Sequence, residues 1–206
     1  MPIQLPATPE ASRALASVFH RSPRELRTVP SDKPLLIPFT VAVDTREQSP
    51  WAFADLRADS NKRFRPLIIP TARRTLPSGD YSIVGHETDV AVERKSIQDA
   101  FGTFGRQRDR FERELARLSE TMFYSCVIIE AEWSEIHERP PEFSQLVPKT
   151  ILRSVIAWQQ RYTNVHWFLL PDRRQAEDTC FRVLERWWRD RQEAERAARV
   201  AQDGET

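Results

Sequence analysis

Cysteine is nearly absent from this sequence: Cys126 and Cys180 stand far apart and outside any CxxC spacing. That pattern argues against a disulfide framework or a zinc site and makes a reducing compartment the default. No apolar run approaches the length needed to span a bilayer. The opening MPIQLPATPE has neither a basic stretch nor a hydrophobic core, so no secretion signal is expected and the protein is expected to be cytoplasmic. An excess of charge of one sign is also missing. Charged residues make up 30% of the chain, yet the formal net charge is +1, so composition neither demands nor excludes a nucleic-acid partner. Lysine is scarce as well, with four residues against 27 arginines, so a lysine at any given position departs from the habit of the chain.

What is present suits one compact domain with ragged ends. A hydrophobic fraction of 40%, with 11 Phe and 6 Trp, is enough for a real core. Residues 1–38 carry seven prolines and read as an extended tail with room for a short helix at Ser12–His20. Phe39–Val43 is a β-branched apolar run, a buried strand with Asp44-Thr45-Arg46-Glu47 just past its end. Residues 55–66 read as a polar, basic loop or short helix, followed by a strand at Leu67–Ile69. A hairpin is expected over Asp80–Val84 and Asp89–Lys95, around a Gly85–Thr88 turn, with Ser96 capping a helix that begins at Ile97. Strands at Tyr124–Glu130 and Val165–Leu170 bracket a helix at Lys149–Arg161, and a long helix follows from Arg173, fraying over 189–206. The alternation predicts an α/β fold, a central mixed sheet flanked by helices.

Within the hairpin, residues two apart share a face, so Glu93 and Lys95 point one way and Val90 and Val92 the other. Asp80 opens the partner strand, and Asp44 lies at the end of a buried strand, where sites gather in α/β sheets. Phosphodiester hydrolysis needs phosphoryl charge neutralised, a water activated and a leaving oxygen stabilised. Carboxylates at Asp44, Asp80 and Glu93 offer hard oxygen ligands for Mg²⁺ or Mn²⁺. Lys95 offers a group to orient or help deprotonate water and, held beside a metal, could have a depressed pKa, which arginine cannot usefully offer. Each motif also has a plainer reading. ExK in a strand is commonly an exposed ion pair, and Asp80 after Gly79 is a serviceable turn residue.

The joint order of VDTRE (43–47), GDY (79–81) and VERKSIQDAFGTF (92–104) resembles the XPF-type structure-specific nuclease domain, a branch of the PD-(D/E)xK nucleases with a restriction-endonuclease-like fold. The similarity runs from about Phe39 to Leu170, and the domain is placed at residues 39–188, between a Pro-rich extension at 1–38 and a charged helix end at 189–206. The resemblance implies metal-dependent cleavage of branched, flap or fork DNA in repair or recombination. It places Asp44, Asp80 and Glu93 on the metal-binding acids and Lys95 on the catalytic lysine, with Arg46, Glu47, Arg94 and Asp99 as a supporting polar shell.

The helix after the signature carries a buried stripe at Ile97, Phe101, Phe104, Phe111, Leu115 and Leu118, with Gly102 and Gly105 as candidate breaks. Arg108 falls on that stripe; it either snorkels or reaches a site carboxylate or a DNA phosphate. DNA contacts are expected from three basic clusters that flank the site in sequence: Lys62, Arg63 and Arg65; Arg73 and Arg74; Arg106, Arg108 and Arg110. A solvated surface is the commoner outcome for a charge run, and each cluster can be read that way. Such contacts would grip phosphates without reading bases.

Eukaryotic and archaeal members append helix-hairpin-helix modules that need glycines, but only Gly204 follows Gly105. The chain is therefore expected to be a stand-alone nuclease domain similar to those of bacteria and their phages, with a homodimer or a protein partner to target it. Trp158, Trp187 and Trp188 suit either a dimer interface or the core. The competing class is a noncatalytic DNA-binding scaffold; such partners lose the acids that this chain keeps.

Overall fold

The computed structural model describes residues 33–58, 65–142 and 144–203. Its core is a six-stranded mixed sheet in the order β4-β2-β5-β6-β7-β8. The strands are β2 (Val41–Asp44), β4 (Thr71–Arg74), β5 (Tyr81–Ile83), β6 (Val90–Ser96), β7 (Tyr124–Glu130) and β8 (Val165–Leu169). β5 runs antiparallel to both of its neighbours, and the other pairings are parallel. A separate two-stranded piece pairs β1 (Leu35–Leu36) with β3 (Leu67–Ile68). The expected α/β architecture, a mixed sheet flanked by helices, is the one found.

Alternation along the strands sorts the side chains into two cores. Val41, Val43, Tyr81, Ile83, Val90, Val92, Cys126 and Ile128 face the long helix α5 (Arg173–Asp203), which contributes Ala176, Cys180, Phe181 and Leu184. Ala91, Val127 and Ile129 face the opposite layer, built from α1 (Ile97–Phe104), α2 (Arg108–Thr121) and α4 (Pro148–Arg161). α3 (Trp133–Glu138) closes that layer through Ile136. The stripe from Ile97 to Leu118 packs there as expected, although the helix is broken at Gly105, the cap of α1. Ser96 caps α1 by accepting the Asp99 N–H at 3.1 Å.

Two elements differ from expectation. Arg73 and Arg74 sit on edge strand β4, which its polar, exposed sequence disguised. The last helix does not fray at residue 189 but stays helical to Asp203. Trp158 is 1% exposed and stacks on Trp167, so it is core and not an interface residue. Trp187 and Trp188 pack partly buried against the first core and His86. The candidate helix Ser12–His20 lies outside the described residues. Among the described residues, no helix is long and apolar enough to cross a membrane.

Gly79 shows how the backbone places the acid that follows it. Its φ is +76°, and an added Cβ would lie 3.1 Å from both Ala91 Cβ and the Val92 carbonyl oxygen. Only glycine adopts this conformation without strain. Gly79→Ala is expected to cost about 1–3 kcal/mol, read as a lower midpoint in chemical denaturation; an unchanged midpoint would show that the turn is not fixed by this residue.

Candidate active site

The two ends of the site meet where β2, β5 and β6 lie side by side. The Asp44 N–H donates to the Asp80 carbonyl at 2.8 Å, and the Asp80 N–H to the Val92 carbonyl at 2.8 Å. The β6 register then sends Ala91, Glu93 and Lys95 to the α1/α2 side, as the two-residue period requires. One cavity of about 210 Å³ is lined by Asp80, Glu93 and Lys95, together with Arg46, Gln107, Arg110 and Glu114. Three of the four residues proposed for chemistry therefore share one small polar cleft.

Asp80 is anchored by the Arg94 backbone N–H, which donates to its Oδ2 at 2.8 Å. Burial and then the nearby Glu93 charge push its pKa up to about 8, and the Arg94 N–H offsets only part of this. Lys95 Nζ donates to Glu93 Oε1 at 2.5 Å and lies 4.9 Å from the centre of the Phe111 ring. Burial works to lower the lysine pKa, but the charges of Glu93, Asp80 and Glu114 outweigh it, so the net displacement is upward.

Asp44 differs in kind from the other acids. It is 1% exposed and does not line the cavity. Its Oδ1 accepts the Arg46 N–H and Nε at 2.7 Å each, and its Oδ2 accepts Arg46 Nη2 at 2.9 Å and the Leu76 N–H at 2.8 Å. Burial alone would raise its pKa, yet these donors bring it below the ordinary aspartate value. In this geometry Asp44 is a clamp that aims Arg46 at the rim of the cavity. Among the described residues no group of three or more His, Cys, Asp or Glu is arranged to chelate one metal ion. Asp80 and Glu93 nonetheless fit a hard divalent cation, which needs only one or two carboxylates and would relieve their mutual repulsion.

The supporting shell divides. Arg94 points to the opposite face, where its Nε and Nη2 pair with Glu130 at 2.8 Å each and its Nη1 lies 3.5 Å from Glu47. Asp99 is exposed and accepts the Ser96 hydroxyl at 2.6 Å, so it serves the helix cap and not the cleft. Arg108 also misses the site carboxylates. It donates to Ser154, pairs with Glu112 at 3.2 Å and lies over Trp158 at 4.6 Å, joining α2 to α4. Its helix position faces α4, whereas Gln107, Arg110 and Glu114 face the cleft.

Of the basic clusters, Lys62 and Arg63 lie outside the described residues. Arg65 donates to the Lys33 and Pro34 carbonyls and Arg73 to those of Thr45 and Glu47, while Arg74 stands 3.9 Å from Glu87. Arg106 is exposed, and Arg110 is the member of its cluster that lines the cavity. Sequence reading missed Glu114 and Glu130. Glu114 follows Gln107 and Arg110 at helical spacings beside the apolar stripe, a signal that was available. Glu130 ends an apolar strand and gathers Arg94, Trp51 Nε1 at 2.8 Å and Arg173 at 3.4 Å, which only folding reveals.

A family model, the ERCC4 domain, matches residues 43–180, two thirds of the chain and all of this site. The chain belongs to the ERCC4 domain family. That is a family of endonucleases, and the domain here is of the XPF type. Among solved structures, XPF from Aeropyrum pernix in complex with DNA is similar at 20% identity and a TM-score of 0.51, over 74% of this chain and 66% of that one. A second, described as XPF from Aeropyrum pernix, gives 19% identity and a TM-score of 0.48, over 71% and 58%. The ERCC4 chain thus spans less than two thirds of either XPF chain. No curated protein matches it.

Proposed function

We propose that this ERCC4 domain is a divalent-metal-dependent endodeoxyribonuclease that hydrolyses phosphodiester bonds in branched, flap or fork DNA, in repair or recombination. The observation that carries the reading is one small polar cleft lined by Asp80, Glu93 and Lys95, with Arg46 and Arg110 at its rim. Asp80 and Glu93 would hold Mg²⁺ or Mn²⁺. When bound, the ion neutralises phosphoryl charge and makes a water acidic enough to attack near neutral pH. Lys95 is fixed by Glu93 and by the Phe111 ring, so its remaining N–H bonds can orient that water or meet a phosphoryl oxygen. Arg46 is held rigid by Asp44 and by the Leu76 carbonyl, which suits it to clamp a phosphate. Asp44 thereby contributes through the arginine it aims. A DNA partner accords with the XPF relative solved in complex with DNA. A homodimer or a protein partner would extend the DNA-binding surface beyond this cleft.

The test is a panel of end-labelled flap, fork, bubble and linear duplexes incubated with the purified protein and Mg²⁺ or Mn²⁺. Metal-dependent nicking near the junctions of flap or fork DNA is expected. Tight binding with no cutting under either metal would assign a scaffold role instead.

A further inference from the structure

We infer that Glu114 on α2 is a positioning acid of this site, one that holds a water of the divalent ion instead of the ion itself. The inference rests on the metal-dependent reading above and adds to it a residue that lies outside the VDTRE, GDY and ERKS motifs. Three acids are expected around the cleft from sequence, but the third, Asp44, has both oxygens committed to four donors at 2.7–2.9 Å. The acids that line the cavity are Asp80, Glu93 and Glu114. Glu114 is half-buried, and its charge meets those of Glu93 and Lys95 on β6 and of Arg110 and Arg117 on its own helix. Among the described residues its carboxylate makes neither a hydrogen bond nor an ion pair, so its oxygens face the cavity free to meet a ligand.

Its place is fixed from both sides. One turn earlier on α2, Phe111 carries the Lys95 ammonium on its ring face at 4.9 Å. One turn later, Arg117 Nε donates to Ser78 Oγ at 3.1 Å, tying the helix to the turn that presents Asp80. Glu114 therefore sits over Glu93 and Lys95 on a braced helix. No three acids are arranged to chelate one ion among the described residues, so Glu114 would meet a metal-bound water instead of the ion that Asp80 and Glu93 would hold. Mg²⁺ and Mn²⁺ retain several waters in protein sites, and a carboxylate accepting from one of them orients it.

The test is Mn²⁺ binding to the full chain without DNA, measured by isothermal titration calorimetry, alongside single-turnover cleavage of a flap substrate. Glu114→Gln is expected to weaken Mn²⁺ binding about tenfold and to slow cleavage with little change in DNA affinity. Glu114→Asp, which keeps the charge, is expected to recover part of both. Asp80→Asn is expected to leave no measurable Mn²⁺ binding. Wild-type affinity and rate in Glu114→Gln would overturn the inference while leaving the nuclease reading intact. Loss of folding in Glu114→Gln, seen by circular dichroism, would assign a structural role and overturn it too. No Mn²⁺ binding by the wild type would overturn the metal-dependent reading and this inference with it.

Discussion

Asp80→Asn is expected to lower DNA cleavage by about a thousandfold or more while raising the melting temperature of the metal-free protein. The loss of activity follows from removing one of two carboxylates that face each other in the cleft. The gain in stability follows from the same arrangement. The Asp80 pKa is raised from 3.8 to about 8, by burial first and by the Glu93 charge second. Between those values the folded protein holds a proton that the unfolded chain has released, so stability falls as pH rises across that window. Below pH 3.8 the penalty is absent, and above about 8 it is fully present. An asparagine carries no such cost. At pH 8 the variant is expected to gain on the order of 1–2 kcal/mol, a rise of roughly 2–6 °C, and the gain should vanish near pH 4. A melting temperature that falls at pH 8, without added metal, would contradict the opposed-carboxylate geometry. Lys95→Ala should lose activity to a similar degree, but without that pH-dependent gain, because it removes the cation that offsets the acids.

Arg94→Ala is expected to destabilise the fold by about 3–5 kcal/mol, the largest stability effect of any single polar substitution near the site. Arg94 and Glu130 are each 9% exposed and joined by two bonds of 2.8 Å, and Glu47, 10% exposed, lies 3.5 Å away. Truncating the arginine leaves two carboxylates buried and facing each other. The pair also braces the loop at Trp51, whose indole donates to Glu130 and whose ring lies 5.7 Å from the Arg94 guanidinium. Chemical denaturation of Arg94→Ala, Glu130→Gln and the double variant would measure the coupling. A loss of under about 1 kcal/mol for Arg94→Ala would match an exposed pair and refute the buried network. The arginine of the ERKS motif lies on the sheet face opposite Glu93 and Lys95, paired with Glu130 and Glu47.

This division explains how far the sequence could be read. A period of two forces Glu93 and Lys95 onto one face and Arg94 onto the other, whatever else the chain does. The apolar run of β7, the cap at Ser96 and the stripe from Ile97 to Leu118 are likewise local patterns, and each forms where its pattern says. Strand β4 escaped because Thr71–Arg74 is an exposed edge with no apolar alternation to announce it. The alternatives for Arg108 stayed open in the sequence because two helical faces, one toward α4 and one toward the cleft, lie within a few residues of each other on α2.

The sequence by itself determined the α/β architecture, the family and the convergence of GDY with ERK, because hairpin pairing and side-chain alternation act over short stretches of chain. Only the tertiary structure decided what surrounds each acid. Asp44 is saturated by Arg46 and Leu76, Glu114 arrives on a helix from the far side of the cleft, and Glu130 collects Arg94, Trp51 and Arg173 from three separate segments. The role of a carboxylate depends on which donors, charges and solvent surround it, and those neighbours are brought together by packing across the fold.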